Sequence, residues 1–270
     1  MRFRISHCTR YTYQAPVFLE PQYLRFYPAN KPHIAVENFK LHISPEPAGI
    51  GPRTDAENNI YHQCWFSGSH ELLEITVDME VSVEAINPFA FLPVATENPH
   101  PALEIYNQQE SLPDDMLVWV NRIMEKQAAE PLALLVALCT AIRRDWDHEV
   151  RYENNLLTPA QCFEGRRGSC RDLSWMLINI FRAHNIPARF VSGYSHNPEL
   201  EEGHELHAWV EIWVPGGGWV GGDPSAGILV NEQYIPIAAS YHPAYTLPVQ
   251  GSYRGTAHAS LDTWVRIEEV

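Results

Sequence analysis

The feature that most constrains the fold is the stretch from Gly165 to Tyr194, which reads GRRGSCRDLSWMLINIFRAHNIPARFVSGY. Apolar residues recur in this stretch at helical spacing, and they are Leu173, Met176, Leu177, Ile180 and Phe181. Ser169 is suited to cap the start of a helix, and Asn185-Ile186-Pro187 is suited to stop it. The pattern therefore predicts a helix from about Cys170 to His184.

Cys170 would stand at the first residue of this helix. Aligned peptide dipoles place partial positive charge at a helix N-terminus, and this charge favours the thiolate form of a cysteine there. Cys170 is therefore a candidate nucleophile, provided that the rest of the chain supplies a base.

Composition narrows the class of protein. The chain has 270 residues, of which 45% are hydrophobic, so a buried core is expected rather than a disordered chain. Its formal net charge of −14 opposes nucleic-acid binding, which requires a basic face. No apolar run approaches the roughly 20 residues that cross a bilayer, so no membrane association is expected. The first residues lack the apolar segment of a signal peptide.

The five cysteines indicate the compartment. Their number is odd and no two of them form a CxxC pair, which is typical of free thiols in a reducing environment. We therefore expect a cytoplasmic protein without a disulfide framework.

The N-terminal third has the pattern of β-strands. The clearest alternation of apolar residues runs from Leu73 to Val83, and shorter alternations occur at 2–13 and 39–43. Short strands separated by Pro and Asx turns predict an antiparallel β-sandwich-like domain. His62 and Cys64 would share one strand face, but a metal site needs more ligands, so we interpret them as a structural pair.

A stretch rich in Pro and Asn, from 88 to 113, is interpreted as a linker. Helical patterns begin after it, near Pro113 and near Pro131. Cys139 lies close to the apolar stripe of the second pattern and is expected to be a small buried hydrophobe. The predicted organisation is an N-terminal β domain with its linker over 1–110 and a second domain over 111–270.

The chain after the Cys170 helix supplies two partners for the cysteine. Residues 206–214 alternate cleanly, with His207 on the face opposite to the aliphatic residues and free to meet a helix packed there. The turn Pro215-Gly216-Gly217-Gly218 returns the chain as a second strand that ends at Asp223. Cys170, His207 and Asp223 thus form a candidate triad of nucleophile, base and orienting carboxylate.

Three blocks of the sequence resemble the transglutaminase-like superfamily of papain-type cysteine enzymes. They are GSCRD from Gly168, IPARFVSGY from Ile186 and HAWVEIWVPGGGWVGGDPSAG from His207. The later run PVQGSYRG resembles the bacterial branch of this family. Early features are similar to the N-terminal β region of that branch, and they are His7, Thr9, Tyr11, Tyr13, Pro16 and the turn at Asp55. Ser240-Tyr241-His242 differs from the Gly-Arg-Asp that bacterial relatives often carry.

The resemblance implies Cys170 as nucleophile, His207 as general base and acid, and Asp223 as the residue that orients His207. It also implies an α+β fold, in which an N-terminal antiparallel β-sandwich-like domain precedes a papain-like core of helices packed on an antiparallel sheet. Residues 111–270 would then be a transglutaminase-like catalytic core.

The predicted chemistry is acyl transfer on peptide or amide substrates through a thioester on Cys170. The backbone N–H of Cys170 is the natural first donor to the oxyanion. Trp146 and Tyr152 are candidates for the second donor, and Trp209 would shield the site from water. Core packing is the alternative role for each of these three aromatic residues.

The acceptor of the acyl group stays open at this point. Water gives a peptidase or amidase and an amine gives a transglutaminase, and the triad serves both. We expect hydrolysis, because transamidation must exclude water and the sequence has no calcium loop of the usual type. A non-catalytic binding module on the same fold is the alternative from another class.

No metal and no cofactor are expected. His204 and His207 resemble part of a zinc-binding motif, but residues three apart on a strand face opposite sides. The expected partner is a peptide or protein substrate, and the oligomeric state is open.

Overall fold

The computed structural model describes residues 1–94, 100–125, 130–150, 155–198 and 206–270. Within these ranges the chain forms antiparallel β-sheets, four α-helices and two 3₁₀-helices. The α+β class predicted from the sequence is confirmed. None of the helices in these ranges is long and apolar enough to span a membrane.

The N-terminal third forms two antiparallel sheets. Its strands are β1 (Arg2–Leu19), β2 (Gln22–Leu24), β3 (Ile34–Ser44), β4 (Gly49–Thr54), β5 (Ile60–Trp65) and β6 (His70–Val83). β6 lies between β1 and β3 in one sheet, and β5 lies between β2 and β4 in the other. Alternate residues of β6 from Leu73 to Val83 are buried, because successive side chains of a strand point to opposite faces.

The last strands of the chain return to these N-terminal sheets. They are β14 (Val249–Gln250), β15 (Tyr253–Arg254) and β16 (Ala259–Glu269), numbered after the central strands given below. β16 pairs with β1 from Phe3 to Tyr13, β15 pairs with the end of β1, and β14 pairs with β2. The division of the chain near residue 110 stays a prediction, and any such division must assign these strands to the N-terminal unit.

The helices lie between these two groups of strands in the sequence. They are α1 (Asp114–Met124), α2 (Pro131–Asp145), α3 (Pro159–Gly165) and α4 (Cys170–Ala183), and the 3₁₀-helices span Pro101–Asn107 and Pro243–Thr246. The predicted starts of α1, α2 and α4 are confirmed. The stretch interpreted as a linker contains the first 3₁₀-helix, and α3 has no counterpart among the sequence predictions.

A central sheet carries the strands that follow α4. Its strands are β9 (Ala188–Ser195), β10 (Leu206–Val214), β11 (Gly218–Asp223), β12 (Ile228–Leu229) and β13 (Tyr234–Ser240). They lie in the order β12-β11-β10-β9-β13, and all their pairings are antiparallel. Two further short strands, β7 (Asp147–His148) and β8 (Arg167–Gly168), form a separate parallel pair.

The helices pack on the aliphatic face of β10. Ala208, Val210 and Ile212 share one hydrophobic core with the buried residues of α4. The prediction that a helix packs on the His207 face of β10 is therefore wrong for the body of this strand. The physical reason is that the opposite face carries Glu211, a buried carboxylate paired with Lys31. A helix gains more by burying its apolar stripe against aliphatic side chains.

Candidate active site

A capping box fixes the start of α4. The backbone N–H of Asp172 donates to Ser169 Oγ (3.4 Å), and the backbone N–H of Ser169 donates to Asp172 Oδ2 (2.9 Å). Asp172 is buried, and its Oδ1 accepts a hydrogen bond from the backbone N–H of Leu157 (2.8 Å). Cys170 is thereby held at the first helical residue, where the backbone N–H has no acceptor within the helix.

The hairpin of β10 and β11 brings Asp223 to His207. Its turn contains Gly216 and Gly218, whose φ angles of 87° and 74° are rarely adopted by residues with a side chain. His207 Nε2 lies 2.7 Å from Asp223 Oδ2. The predicted pairing of these two side chains is thus present in the structure.

The carboxylate of Asp223 is buried and heavily hydrogen-bonded. The backbone N–H and the hydroxyl of Ser225 donate to Oδ1 (2.8 and 2.6 Å), and the hydroxyl of Tyr234 donates to Oδ2 (2.8 Å). Burial raises the pKa of Asp223, but the charge of His207 and these hydrogen bonds outweigh burial, and the pKa falls to about 2. The ionised carboxylate keeps a proton on Nε2 of His207 and leaves Nδ1 to face the thiol.

The Cys170 thiol and the His207 ring are hydrogen-bonded to each other. Burial lowers the pKa of His207, but the charges of Asp223 and Cys170 outweigh burial and raise it well above its usual value. Burial raises the pKa of Cys170, but the charge of His207 and hydrogen bonds with His148 and His207 lower it to about 6. At neutral pH the pair is a thiolate and an imidazolium, the charge state that a nucleophilic cysteine requires.

This ion pair predicts the pH dependence of Cys170 alkylation. The rate with iodoacetamide should rise with pH through a midpoint near 6, because the thiolate forms above the pKa of Cys170. In His207→Ala the midpoint should move towards the ordinary thiol value of about 8.5, because the stabilising cation is gone. Mass spectrometry of the peptide that contains Cys170 measures the rate.

The other four cysteines are buried and serve as the internal reference for this labelling. A wild-type midpoint at the ordinary thiol value would contradict the ion pair. It would favour the non-catalytic binding module.

Sequence reasoning missed two residues that contact the triad. Tyr234 is buried at the start of β13 and bonds to Asp223, and His148 hydrogen-bonds to Cys170. Tyr234 lies in a strand pattern that any core tyrosine would fit. His148 lies in a strand of two residues, which has no periodicity. Neither position carries a local signal that could have identified it.

The Tyr234→Phe variant tests whether Tyr234 positions Asp223. Phenylalanine keeps the ring that packs at 5.3 Å against Trp209 but removes the hydroxyl that donates to Asp223. A hydrogen bond to a charged group contributes about 1.5 kcal/mol or more, so kcat should fall about tenfold. KM and the melting temperature should change little. A fall in melting temperature with unchanged kcat would indicate packing alone.

The aromatic residues predicted at the site lie in different settings. Trp146 is buried, and its indole N–H donates to the carbonyl oxygen of Cys162 (3.0 Å), so this donor is already engaged. Tyr152 lies outside the described residues. Trp209 is fully buried, with its ring 6.4 Å from the ring of His207. Of the two that are described, Trp209 is the one that the structure places beside His207.

The metal-site alternative finds no support in the ranges that the structure describes. Within these ranges, no group of three or more His, Cys, Asp or Glu side chains is arranged to hold a metal ion. His204 lies outside the ranges. His62 stacks on the ring of Phe39 at 5.9 Å, and Cys64 is buried.

Two family models match this chain. Residues 3–82 match the bacterial transglutaminase-like N-terminal region, and residues 119–224 match the transglutaminase-like superfamily. The second match contains Cys170, His207 and Asp223. The chain belongs to the transglutaminase-like superfamily.

Relatives of this transglutaminase-like protein include two uncharacterised mycobacterial proteins. The Mycobacterium leprae protein is 34% identical over 108 residues, which span 37% of this chain and 37% of that protein. The Mycobacterium tuberculosis H37Rv protein is 25% identical over 291 aligned positions, which span 98% of this chain and 92% of that protein. A protein-glutamine gamma-glutamyltransferase of Pseudomonas aeruginosa is 34% identical over 112 residues, which span 36% of this chain and 16% of that enzyme.

The transglutaminase-like fold is shared with a solved structure. A candidate cysteine protease from Cytophaga hutchinsonii superposes with a TM-score of 0.78 at 17% identity, over 99% of this chain and 90% of that one. This likeness concerns the fold, with its β region followed by helices on an antiparallel sheet. The transglutaminase-like fold supports cysteine-dependent catalysis in the broad sense.

Proposed function

We propose that this protein transfers acyl groups from peptide or amide substrates through Cys170, and that water is the acceptor. The observation that carries the proposal is the connected set of Cys170, His207 and Asp223, with a thiolate–imidazolium pair at one end and a 2.7 Å bond between His207 and Asp223 at the other. Each of these side chains is held by its neighbours before any substrate arrives. Such preorganisation is what a nucleophilic cysteine site requires.

The steps follow from the charge states. Cys170 Sγ forms a bond to the carbonyl carbon of the substrate, and the electron pair of the carbonyl π bond moves to oxygen. The adduct collapses as the carbon–nitrogen bond breaks, and His207 gives its proton to the departing amine. Water then attacks the thioester, His207 takes its proton, and the acid leaves as Cys170 returns to the thiolate.

Two observations support water as the acceptor. The side chain of His207 keeps 20% of its exposure, so solvent has access to the base. Transamidation must exclude water from the thioester, and the sequence contains no calcium loop of the usual type. Hydrolysis does not require the site to exclude water from the thioester, whereas transamidation does.

The name of the Pseudomonas aeruginosa relative favours a second candidate. That relative is a protein-glutamine gamma-glutamyltransferase, and its match spans 112 residues, or 36% of this chain. The second candidate function is therefore transfer of a glutamine acyl group to an amine, with the same thioester on Cys170.

One experiment separates the two reactions. The protein is incubated with glutamine-containing peptides and a dansyl-labelled primary amine, and mass spectrometry records cleaved, deamidated and dansylated products. Cleavage or deamidation without dansylation is expected for hydrolysis. Dansylated peptide as the main product would replace hydrolysis with transamidation, and the absence of all three products would contradict acyl transfer on these substrates. Cys170→Ala serves as the blank.

A further inference from the structure

His148 is fixed beside the segment that leads into Cys170. The residues on either side of His148 donate backbone hydrogen bonds to this segment. The N–H of Asp147 donates to the carbonyl oxygen of Arg166 (2.9 Å), and the N–H of Glu149 donates to the carbonyl oxygen of Gly168 (3.0 Å). In the β7–β8 pairing, His148 lies opposite Gly168, two residues before Cys170. Backbone bonds therefore hold the main chain of His148 next to the segment that leads into Cys170.

The ring of His148 makes a hydrogen bond with the thiol of Cys170. A ring N–H that donates to the sulfur stabilises the thiolate, which agrees with the direction in which His148 moves the pKa of Cys170. His148 is exposed, whereas His207 is bonded to the buried Asp223. The two histidines thus lie beside one sulfur in different settings, because His148 is exposed and His207 is held by a buried carboxylate.

The proposed reaction needs a second donor for the developing oxyanion. The backbone N–H of Cys170 is one donor, and a single donor leaves much of the negative charge without a partner. The indole N–H of Trp146 is engaged with Cys162, so it does not supply the second. The carbonyl oxygen of the substrate is bonded to the carbon that Cys170 Sγ attacks. A donor that is hydrogen-bonded to Sγ therefore lies within reach of this oxygen.

We infer that His148 is this second donor, and that its ring N–H passes from the thiolate to the carbonyl oxygen as the sulfur attacks. The inference rests on the proposed acyl transfer. As the carbon–sulfur bond forms, negative charge leaves the sulfur and appears on oxygen, and the N–H of His148 follows that charge. No proton is transferred from His148, which distinguishes it from His207.

The test uses p-nitrophenyl acetate as the acyl donor. Its leaving group departs as p-nitrophenolate and needs no proton from His207, so the rate of acylation reports the oxyanion donors. The reaction forms the carbon–sulfur bond to Cys170 and breaks the ester carbon–oxygen bond, and the absorbance of p-nitrophenolate measures it. Alkylation of Cys170 by iodoacetamide, which forms no oxyanion, measures the reactivity of the thiolate in the same variants.

Three variants of His148 separate its roles. His148→Ala and His148→Phe lack the donor, and kcat/KM for the ester should fall by about 10²-fold in both. Alkylation of Cys170 should fall by less than about tenfold in both, because one hydrogen bond to the thiolate is lost. His148→Gln restores an N–H donor and should recover most of the lost acylation. Asp147→Ala, in the same exposed two-residue strand, should match the wild-type protein in both reactions.

Two results would overturn the inference and leave the proposed function intact. Unchanged acylation in His148→Ala would show that this donor is not used. Equal losses in acylation and alkylation would show that His148 acts only on the charge of the thiolate. If the wild-type protein is alkylated at Cys170 but releases no p-nitrophenolate, the proposed function itself is overturned. Circular dichroism of each variant establishes that it is folded.

Discussion

Replacing Cys170 with alanine is expected to lower the turnover of peptide and ester substrates by about 10⁴-fold or more. The thiolate forms the bond to the acyl group, and no other side chain of the triad can take that role. The fold should persist, because Cys170 is only partly buried at the start of α4 and Ser169 still caps the helix. Initial rates together with the melting temperature measure both expectations.

Cys8→Ala is the matched control for this result. Cys8 lies on β1 in the N-terminal sheet, and its loss should leave turnover unchanged. Full activity in Cys170→Ala would refute the mechanism. Asp223→Asn should cost less than Cys170→Ala, because it disturbs the orientation and protonation of His207 but leaves the nucleophile in place.

Replacing Glu211 with alanine is expected to lower the free energy of unfolding by about 3–5 kcal/mol. Lys31 Nζ lies 2.9 Å from Glu211 Oε1, and Arg189 Nη2 lies 2.5 Å from Oε2. All three side chains are largely buried, so the variant leaves two cations without their shared anion in a setting that water enters poorly. Urea unfolding measures the change.

Arg4→Ala is the matched control. Its partner Glu80 is at 3.0 Å, but the Arg4 side chain keeps 54% of its exposure, so solvent screens the pair and its loss should change the free energy of unfolding little. Equal losses in the two variants would show that burial does not strengthen the Glu211 network.

The same network predicts how stability changes in acid. Burial raises the pKa of Glu211, but the charges of Arg189 and Lys31 outweigh burial, and the pKa falls from 4.5 to about 2. A carboxylate with a lowered pKa stabilises the folded state above its unfolded pKa, and this contribution disappears as the pH falls through its folded pKa. Unfolding measured between pH 5 and 2 should therefore show a loss of about 3 kcal/mol from this group, and Glu211→Gln should remove that part of the pH dependence.

Local sequence patterns were sufficient to predict the elements that carry the triad. Ser169 and the apolar stripe after it act within one helix, and the alternation of 206–214 acts within one strand. The glycine turn sets the register that brings Asp223 to His207. These three features depend on backbone rules that operate between near neighbours.

Contacts between distant segments could not be predicted in this way. Alternation predicts the two faces of β10 but not what covers each face, so it does not reveal that Glu211 on the His207 face pairs with Lys31. His148 reaches Cys170 through two short strands without periodicity. Tyr234 of β13 contacts Asp223 of β11 although β9 and β10 lie between these strands in the sheet, and nothing in the local sequence fixes that order.

The pairing of β16 with β1 affects how this protein folds during synthesis on the ribosome. β6 can pair with one edge of β1 early in synthesis. The other edge stays unpaired until residues 259–269 have been synthesised. During that interval the open edge offers unpaired backbone groups to other nascent chains, and closing it requires a contact of very large sequence separation. One edge of β1 can thus be paired long before the other.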